Sequence, residues 1–331
     1  MKKLSNIGER QLIKLARSII KEHHESIDLT DDCAIIPIEE KYLLATSDMI
    51  SEKTHIPKGM KPWQIGWFAA AINLSDIAAK GGHPLGMLLS LGLPASYPKS
   101  SFLEIIKGAS SCANRQNTAI IGGDTKENDH IVISGTALGI VEKDQYISRK
   151  GAKVGDVVAV TGTIGKAAVG FYDLKYNKNV GNINPLCEPE PRVAEGIRLA
   201  ETKKVHCCMD LSDGLSSSLY QLAELNNCGF HLKSNKIPVS SRLQEYATHD
   251  ITLDQDFFVF HFGGDYELLL TVEEQDFPHL QQVLKKHDTP LTRIGSVIKD
   301  NTVLIDTEQN QRIMLPNLGY EHFSNRQEEM S

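Results

Sequence analysis

Strand-like and helix-like stretches alternate through both halves of this chain, and carboxylates, often beside hydroxyls, recur where those stretches end. The recurring groups are Thr30-Asp31-Asp32, Thr46-Ser47-Asp48, Ser75-Asp76, Gly122-Gly123-Asp124 and Asp210-Leu211-Ser212-Asp213. Mixed elements in both halves indicate an α/β or α+β architecture. Residues 8–24 read as an amphipathic helix, and "CAIIPI" and "KYLLATSD" as strands joined at Glu39-Glu40. Residues 62–80 read as an Ala-rich helix, with Pro62 in its first turn and Gly81-Gly82 at its end. "PLGMLLSLGLP" is a strand, residues 98–116 a helix, "TAIIGGDT" a strand closing in a Gly-Gly-Asp turn, and "HIVISGTALGIV" a strand.

The polar stretch "EKDQYISRKGAKVGD" has no apolar period. A domain boundary placed in it gives an N-terminal unit of residues 1–145 and a C-terminal unit of residues 146–331. The second unit reads as a strand at "VVAVTGTIG", an Asn-rich loop at 176–187, a helix at 189–202, a strand at "VHCCMD" and a helix at "DGLSSSLYQLAELNN". "FFVFHFGGDYELLLTV" reads as two strands about a Gly-Gly turn.

At 331 residues the chain is too long for one ordinary domain and suits two, each with its own core. A net charge of -7 without a long basic run argues against nucleic acid and against a membrane surface as partners. No apolar stretch has the length of a membrane span. Six scattered cysteines without a CxxC pair support neither zinc nor a disulfide framework, and place the chain in the cytoplasm.

The acidic groups suggest an ion site. Magnesium takes hard oxygen ligands and keeps water and substrate phosphate in its shell. Carboxylates from several elements could gather such ions, and an acidic protein could then bind an acidic nucleotide. Taken singly, each Asp also suits a turn or a helix cap, and Asp213 before a clear helix is the best cap candidate. Capping cannot explain Asp76, which lies inside the 62–80 helix, where Asp has no propensity advantage. It is there for function or merely as an exposed residue. "TGTIGKAAVG" could cradle phosphate on backbone amides or be a plain strand–helix turn; it lacks the Walker A spacing. Arg149 reads as a solvated linker cation, and His55, seven residues beyond Asp48, could reach the same cleft.

Together "DDCAII", "ATSDMISEKTHIP", "AAINLSDIAAKGGHPLGMLLSLGLP", "IIGGDT", "SRKGAKVGDVVAVTGTIGKAAVGF", "MDLSDGL" and "FGGDYELLLTV" resemble, in that order, the thiamine-monophosphate kinases of the aminoimidazole ribonucleotide synthetase superfamily. The likeness runs from about residue 28 to residue 273. It implies an N-terminal α/β domain whose strands join a second copy's in a shared barrel, a C-terminal α+β domain, and a homodimer. It implies ATP-dependent, magnesium-dependent phosphorylation of thiamine monophosphate to thiamine diphosphate.

Position by position, the resemblance makes Asp32, Thr46, Ser47, Asp48, Asp76, Asp124, Asp210 and Asp213 ligands of several magnesium ions, with Asp76 and Asp210 foremost in catalysis. Gly123, Asp124, Arg149 and Ser212 become nucleotide contacts, and His55 a contact to the thiamine phosphate. The chain departs from the family at Thr30, which replaces a Gly, and at Ile56, where an aromatic often follows the His. It departs again at Gly263-Gly264-Asp265-Tyr266-Glu267-Leu268, one Glu shorter than the family's motif. Asp265 is then expected to stand in for that substrate-contacting Glu. The expected chemistry is direct in-line phosphoryl transfer. Its rivals are another ATP-dependent synthetase of the superfamily and a catalytically silent nucleotide-binding protein on the same fold.

Overall fold

A computed structural model describes residues 3–24, 27–176 and 182–323. Part of the Asn-rich loop expected at 176–187 lies outside them.

In the first unit α1 (Glu9–His23) precedes the hairpin β1 (Ala34–Ile38) and β2 (Lys41–Ser51), then α2 (Pro62–Ala79), β3 (His83–Leu93), α3 (Lys99–Arg115), β4 (Ile120–Glu127) and β5 (Val132–Glu142). Its five strands form one sheet in the order β1-β2-β5-β3-β4, antiparallel except between β3 and β4. The second unit runs β6 (Val157–Thr161), α4 (Lys166–Tyr176), α5 (Asn184–Cys187), α6 (Val193–Thr202), β7 (Val205–Asp210), α7 (Leu215–Asn226) and β8 (Gly229–Lys233). It continues with α8 (Ser241–His249), α9 (Gln255–Phe260), β9 (Leu268–Val272), α10 (Phe277–Lys285), β10 (Leu291–Ile298), β11 (Val303–Asp306) and β12 (Arg312–Met314). Its sheet has the order β12-β11-β8-β10-β6-β9-β7. The mixed α/β architecture read from the sequence is the one observed, with one sheet in each half. Among the described residues no helix is long and apolar enough to cross a membrane.

Helix α2 is the centre of the molecule. It is buried on nearly every side, which an amphipathic surface helix never is. One side packs on the inner face of the first sheet, against Leu44, Ile50, Leu89 and Ile133. The same continuous core reaches Leu268 and Leu270 of β9 in the second unit. Close approach is bought with glycine: a Cβ at Gly66 would sit 1.8 Å from the carbonyl oxygen of Ile105 in α3, and one at Gly108 equally near that of Trp63.

Four local expectations are corrected. "FFVF" is helical rather than a strand, because the Asp254 carboxylate accepts from the backbone N–H of Phe257 at 2.9 Å and starts α9. The Gly-Gly-Asp group does not turn the chain; β4 runs through it, with Gly123 passing so near β3 that a Cβ would lie 1.8 Å from the carbonyl oxygen of Leu89. Thr46-Ser47-Asp48 lies within β2 rather than at its end. Asp213 is not the cap of α7; that position belongs to Gly214, at φ +94°, without a side-chain cap.

Candidate functional site

The carboxylates of Asp32, Asp76 and Asp210 converge, each offering an oxygen within 4.8 Å of the others. Three different backbone routes bring them together. Asp32 comes from the loop entering β1, Asp76 from the last turn of α2, and Asp210 ends β7. Thr46 Oγ1 donates to Asp76 Oδ2 at 2.5 Å, and Ser75 Oγ donates to Asp210 Oδ2 at 2.6 Å. Asn73 closes the edge: its Oδ1 accepts the backbone N–H of Asp48 at 2.9 Å while its Nδ2 donates to the Ala69 carbonyl.

Gathering like charges away from water is unfavourable and favours the protonated form of each carboxyl in the cluster. Burial, then the charges of Asp48, Asp210 and Asp32, hold the Asp76 carboxyl well above its ordinary range. Burial, then Asp32, pushes Asp210 up to about 7. Burial and the charge of Asp32 raise Asp48. Asp213 rises to about 6, through burial first and then the charge of Glu9.

Two protein cations offset part of this charge. Lys80, wholly buried, reaches Asp31 Oδ1 at 2.5 Å, Asp32 Oδ2 at 2.7 Å and the Cys208 carbonyl at 2.9 Å. The Arg149 guanidinium lies against Asp32 Oδ1. Burial alone would raise Asp31, but Lys80 and the hydroxyl of Tyr146 hold it well below the usual carboxylate range.

The donor set fits hard divalent cations. Every cluster ligand is an oxygen, and Asp32 is held by ion pairs rather than well-directed hydrogen bonds, so both its buried oxygens retain acceptor capacity. Arg149 Nε is likewise buried without a hydrogen-bond partner, as a phosphate-binding donor would be.

The expected residues do not all meet in one chain. Thr46 and Asp48 face α2, whereas strand alternation turns Ser47 to the opposite face of the sheet. There Ser47 Oγ donates to the Gly135 carbonyl at 2.9 Å and lies 3.4 Å from Ser134 Oγ. Asp124 is exposed on the edge strand β4, paired in register with Ser90. Register places Asp48 opposite Gly135, Gly135 opposite Leu89, and Leu89 opposite Gly123. Three strand spacings, roughly 14 Å in all, therefore separate Gly123-Asp124 from Asp48.

Ser212 and Asp213 lie between β7 and α7, beside the Gly263-Gly264 turn, whose Gly264 N–H reaches the Ser212 carbonyl at 2.8 Å. His55 follows β2; its Nδ1 is 2.7 Å from Thr54 Oγ1, and its ring centroid is 5.3 Å from that of His322. Burial, then His322, lowers its pKa to about 4. Asp265 is a committed carboxylate: its oxygens accept the backbone N–H groups of Gly165 at 2.6 Å and Ala167 at 3.0 Å, at the start of α4. Those are the amides that "TGTIGKAAVG" offered for phosphate.

Sequence reasoning gave Lys80 no part in the site, and singled out Asp31 and Ser75 only as members of the acidic groups, without a role. The signal for Lys80 was present: a cation in an otherwise apolar helix end, one turn beyond Asp76.

Residues 30–141 match the AIR synthase related protein, N-terminal domain, and residues 153–306 its C-terminal domain. A thiamine-monophosphate kinase of Methanospirillum hungatei is 33% identical over 317 residues, 96% of this chain and 99% of that protein. A thiamine-monophosphate kinase of Buchnera aphidicola is 33% identical over 319 residues, 92% and 94% of the two chains. The solved structure of AaThiL complexed with AMPPCP and TMP superimposes with a TM-score of 0.85 at 28% identity, covering 97% of this chain and 99% of that one.

Proposed function

The chain belongs to the thiamine-monophosphate kinase family of the AIR synthase related proteins, and from that membership we propose that it transfers the γ-phosphoryl group of ATP to thiamine monophosphate, giving thiamine diphosphate and ADP. The observation that carries the reading is the convergence of Asp32, Asp76 and Asp210 within 4.8 Å in a relative of a structure bound to AMPPCP and TMP.

Asp32, Thr46, Asp48, Asp76, Asp210 and Asp213 would hold magnesium, with Arg149 and Ser212 toward the nucleotide and His55 toward the acceptor phosphate. Bound magnesium would supply charge screening between two anionic substrates and align them for in-line transfer. The protein needs no general base, because a phosphate monoester, with a second pKa of about 6, is already largely ionised near neutral pH. Asp76 and Asp210 are enclosed with oxygen-donating neighbours fixed by Thr46 and Ser75, so the ligand geometry exists before substrates arrive. Asp265 contributes to the acceptor side through the α4 loop whose amides it binds.

Ser47, Gly123 and Asp124 take part through a homodimer. Ser47 and Asp124 share the outer face of the first sheet with exposed Ile36, Ile38, Met49, Leu88 and Ile121, and Gly123 precedes Asp124 on the edge strand β4. A second copy laid against this apolar face, completing a barrel, would bury it and carry its Asp124 toward the first copy's Asp48. Residues 1–145 and 146–331 serve as the two functional units, since each holds one sheet. Six buried, unpaired cysteines suit the cytoplasm.

The test is acceptor choice. Purified protein is incubated with magnesium-ATP and, separately, thiamine monophosphate, free thiamine or aminoimidazole-pathway substrates, and products are separated chromatographically. Thiamine diphosphate from the monophosphate supports the assignment; product from one of the others alone overturns it.

A further inference from the structure

Asp32 is flanked by protein cations on both sides, and the two cations differ in kind. Lys80 has no exposed side-chain surface; it donates to Asp31 and to the Cys208 carbonyl and is ion-paired with Asp32 at 2.7 Å. It is a fixed, fully enclosed counter-ion. Arg149 keeps 16% of its side chain exposed and has a buried Nε without a partner. Among the described residues its only ion pair is with Asp32.

The backbone of Arg149 is nevertheless firmly held. Its N–H donates to Asp31 Oδ2 at 3.1 Å, and its carbonyl accepts from Asn226 Nδ2 at 3.0 Å and from the Cys207 thiol at 3.1 Å. Only the side chain is free to change partner.

We propose that Arg149 is an exchangeable counter-ion: its guanidinium occupies Asp32 Oδ1 until a divalent cation takes that oxygen, and then passes to a phosphate oxygen of the nucleotide. This rests on the magnesium-nucleotide reading above. The exchange balances, since one cation replaces another on the same carboxylate and Lys80 stays on Oδ2. The released fork of donors, including the unpartnered Nε, suits a phosphate group. Ion loading thereby prepares the nucleotide site, and by linkage the nucleotide tightens ion binding by the same factor.

A residue that only contacts nucleotide would leave the binding of magnesium alone unchanged when removed. An exchangeable counter-ion competes with magnesium, so its removal strengthens that binding. Arg149→Met keeps the aliphatic stem and deletes the charge; Arg149→Gln is a second uncharged variant should the first fail to give a cooperative melt. Calorimetric titration of nucleotide-free protein with magnesium chloride is expected to show affinity raised about ten-fold or more over wild type. Binding of a methylene-bridged ATP analogue at saturating magnesium is expected to weaken about ten-fold or more. Arg149→Lys, which keeps the charge but not the fork, should bind magnesium as wild type does and the analogue weakly. Magnesium affinity equal to or below wild type in the uncharged variants overturns the proposal while leaving the ion site standing. A wild-type protein that binds no magnesium overturns the ion reading itself, and the proposal with it.

Discussion

Ser75 Oγ donates to Asp210 Oδ2 at 2.6 Å, joining α2 of the first unit to the end of β7 in the second. The bond is wholly buried, so the ion cluster is also a seam between the two units. Ser75→Ala should leave one buried carboxylate oxygen without its donor. The expected cost is about 1–3 kcal/mol of stability, read from urea unfolding, with weaker magnesium binding. A variant indistinguishable from wild type in both would mean that the hydroxyl does not position Asp210.

Asp76→Asn and Asp210→Asn separate function from folding. Each amide keeps the shape of the side chain and removes a charge that burial and the neighbouring carboxylates disfavour. Stability without ions should hold or rise, while turnover falls by about a hundred-fold or more. Steady-state rates beside melting curves decide the matter, and full activity in both variants would sink the metal-cluster reading.

The cluster also sets a pH dependence. Asp210, pushed to about 7, and Asp213, pushed to about 6, bind protons more tightly in the folded chain than in the unfolded one. Protonation therefore favours the folded state, and that contribution is lost as pH rises through these values. Ion-free protein should melt at progressively lower temperature from pH 5.5 to pH 8, and magnesium should restore the loss at pH 8. A melting temperature that climbs over this range in ion-free buffer would contradict the account.

The apolar outer face of the first sheet predicts association. Met49 is 60% exposed on β2, whose inner face is packed, and Ile121 is 59% exposed on the edge strand β4. Met49→Asp and Ile121→Asp should give folded monomers by light scattering, with activity lost because Asp124 no longer meets the ion cluster. A variant that stays dimeric, or a monomer of full activity, would argue that this face does not complete the site.

Much of this was legible in the residues. Asp76 stood out because no capping geometry could account for an Asp inside an Ala-rich helix, and it does turn inward to Asp32 and Asp210. The β1–β2 hairpin, α2 and the β7–α7 junction follow their periodicity and turn residues. The failures have a common physical origin. Placing Thr46-Ser47-Asp48 at a strand end hid the pleat, which sends Ser47 away from its neighbours. Arg149 read as a solvated linker residue because only tertiary packing, through Tyr146, Ser148 and the Asp31 loop, brings that linker onto the cluster. "FFVFHF" has strand-like composition, and the Asp254 cap that starts its helix was overlooked. Local pattern located the chemistry better than it located the partners of each side chain.

The central claim is transfer of one phosphoryl group between two anions at the Asp32–Asp76–Asp210 cluster. Phosphorus nuclear magnetic resonance of the purified protein with magnesium, ATP and thiamine monophosphate tests it most directly. The account predicts that ATP and thiamine monophosphate disappear together, replaced in equal amounts by ADP and thiamine diphosphate. Signals that stay unchanged, or ADP accompanied only by inorganic phosphate, would contradict it.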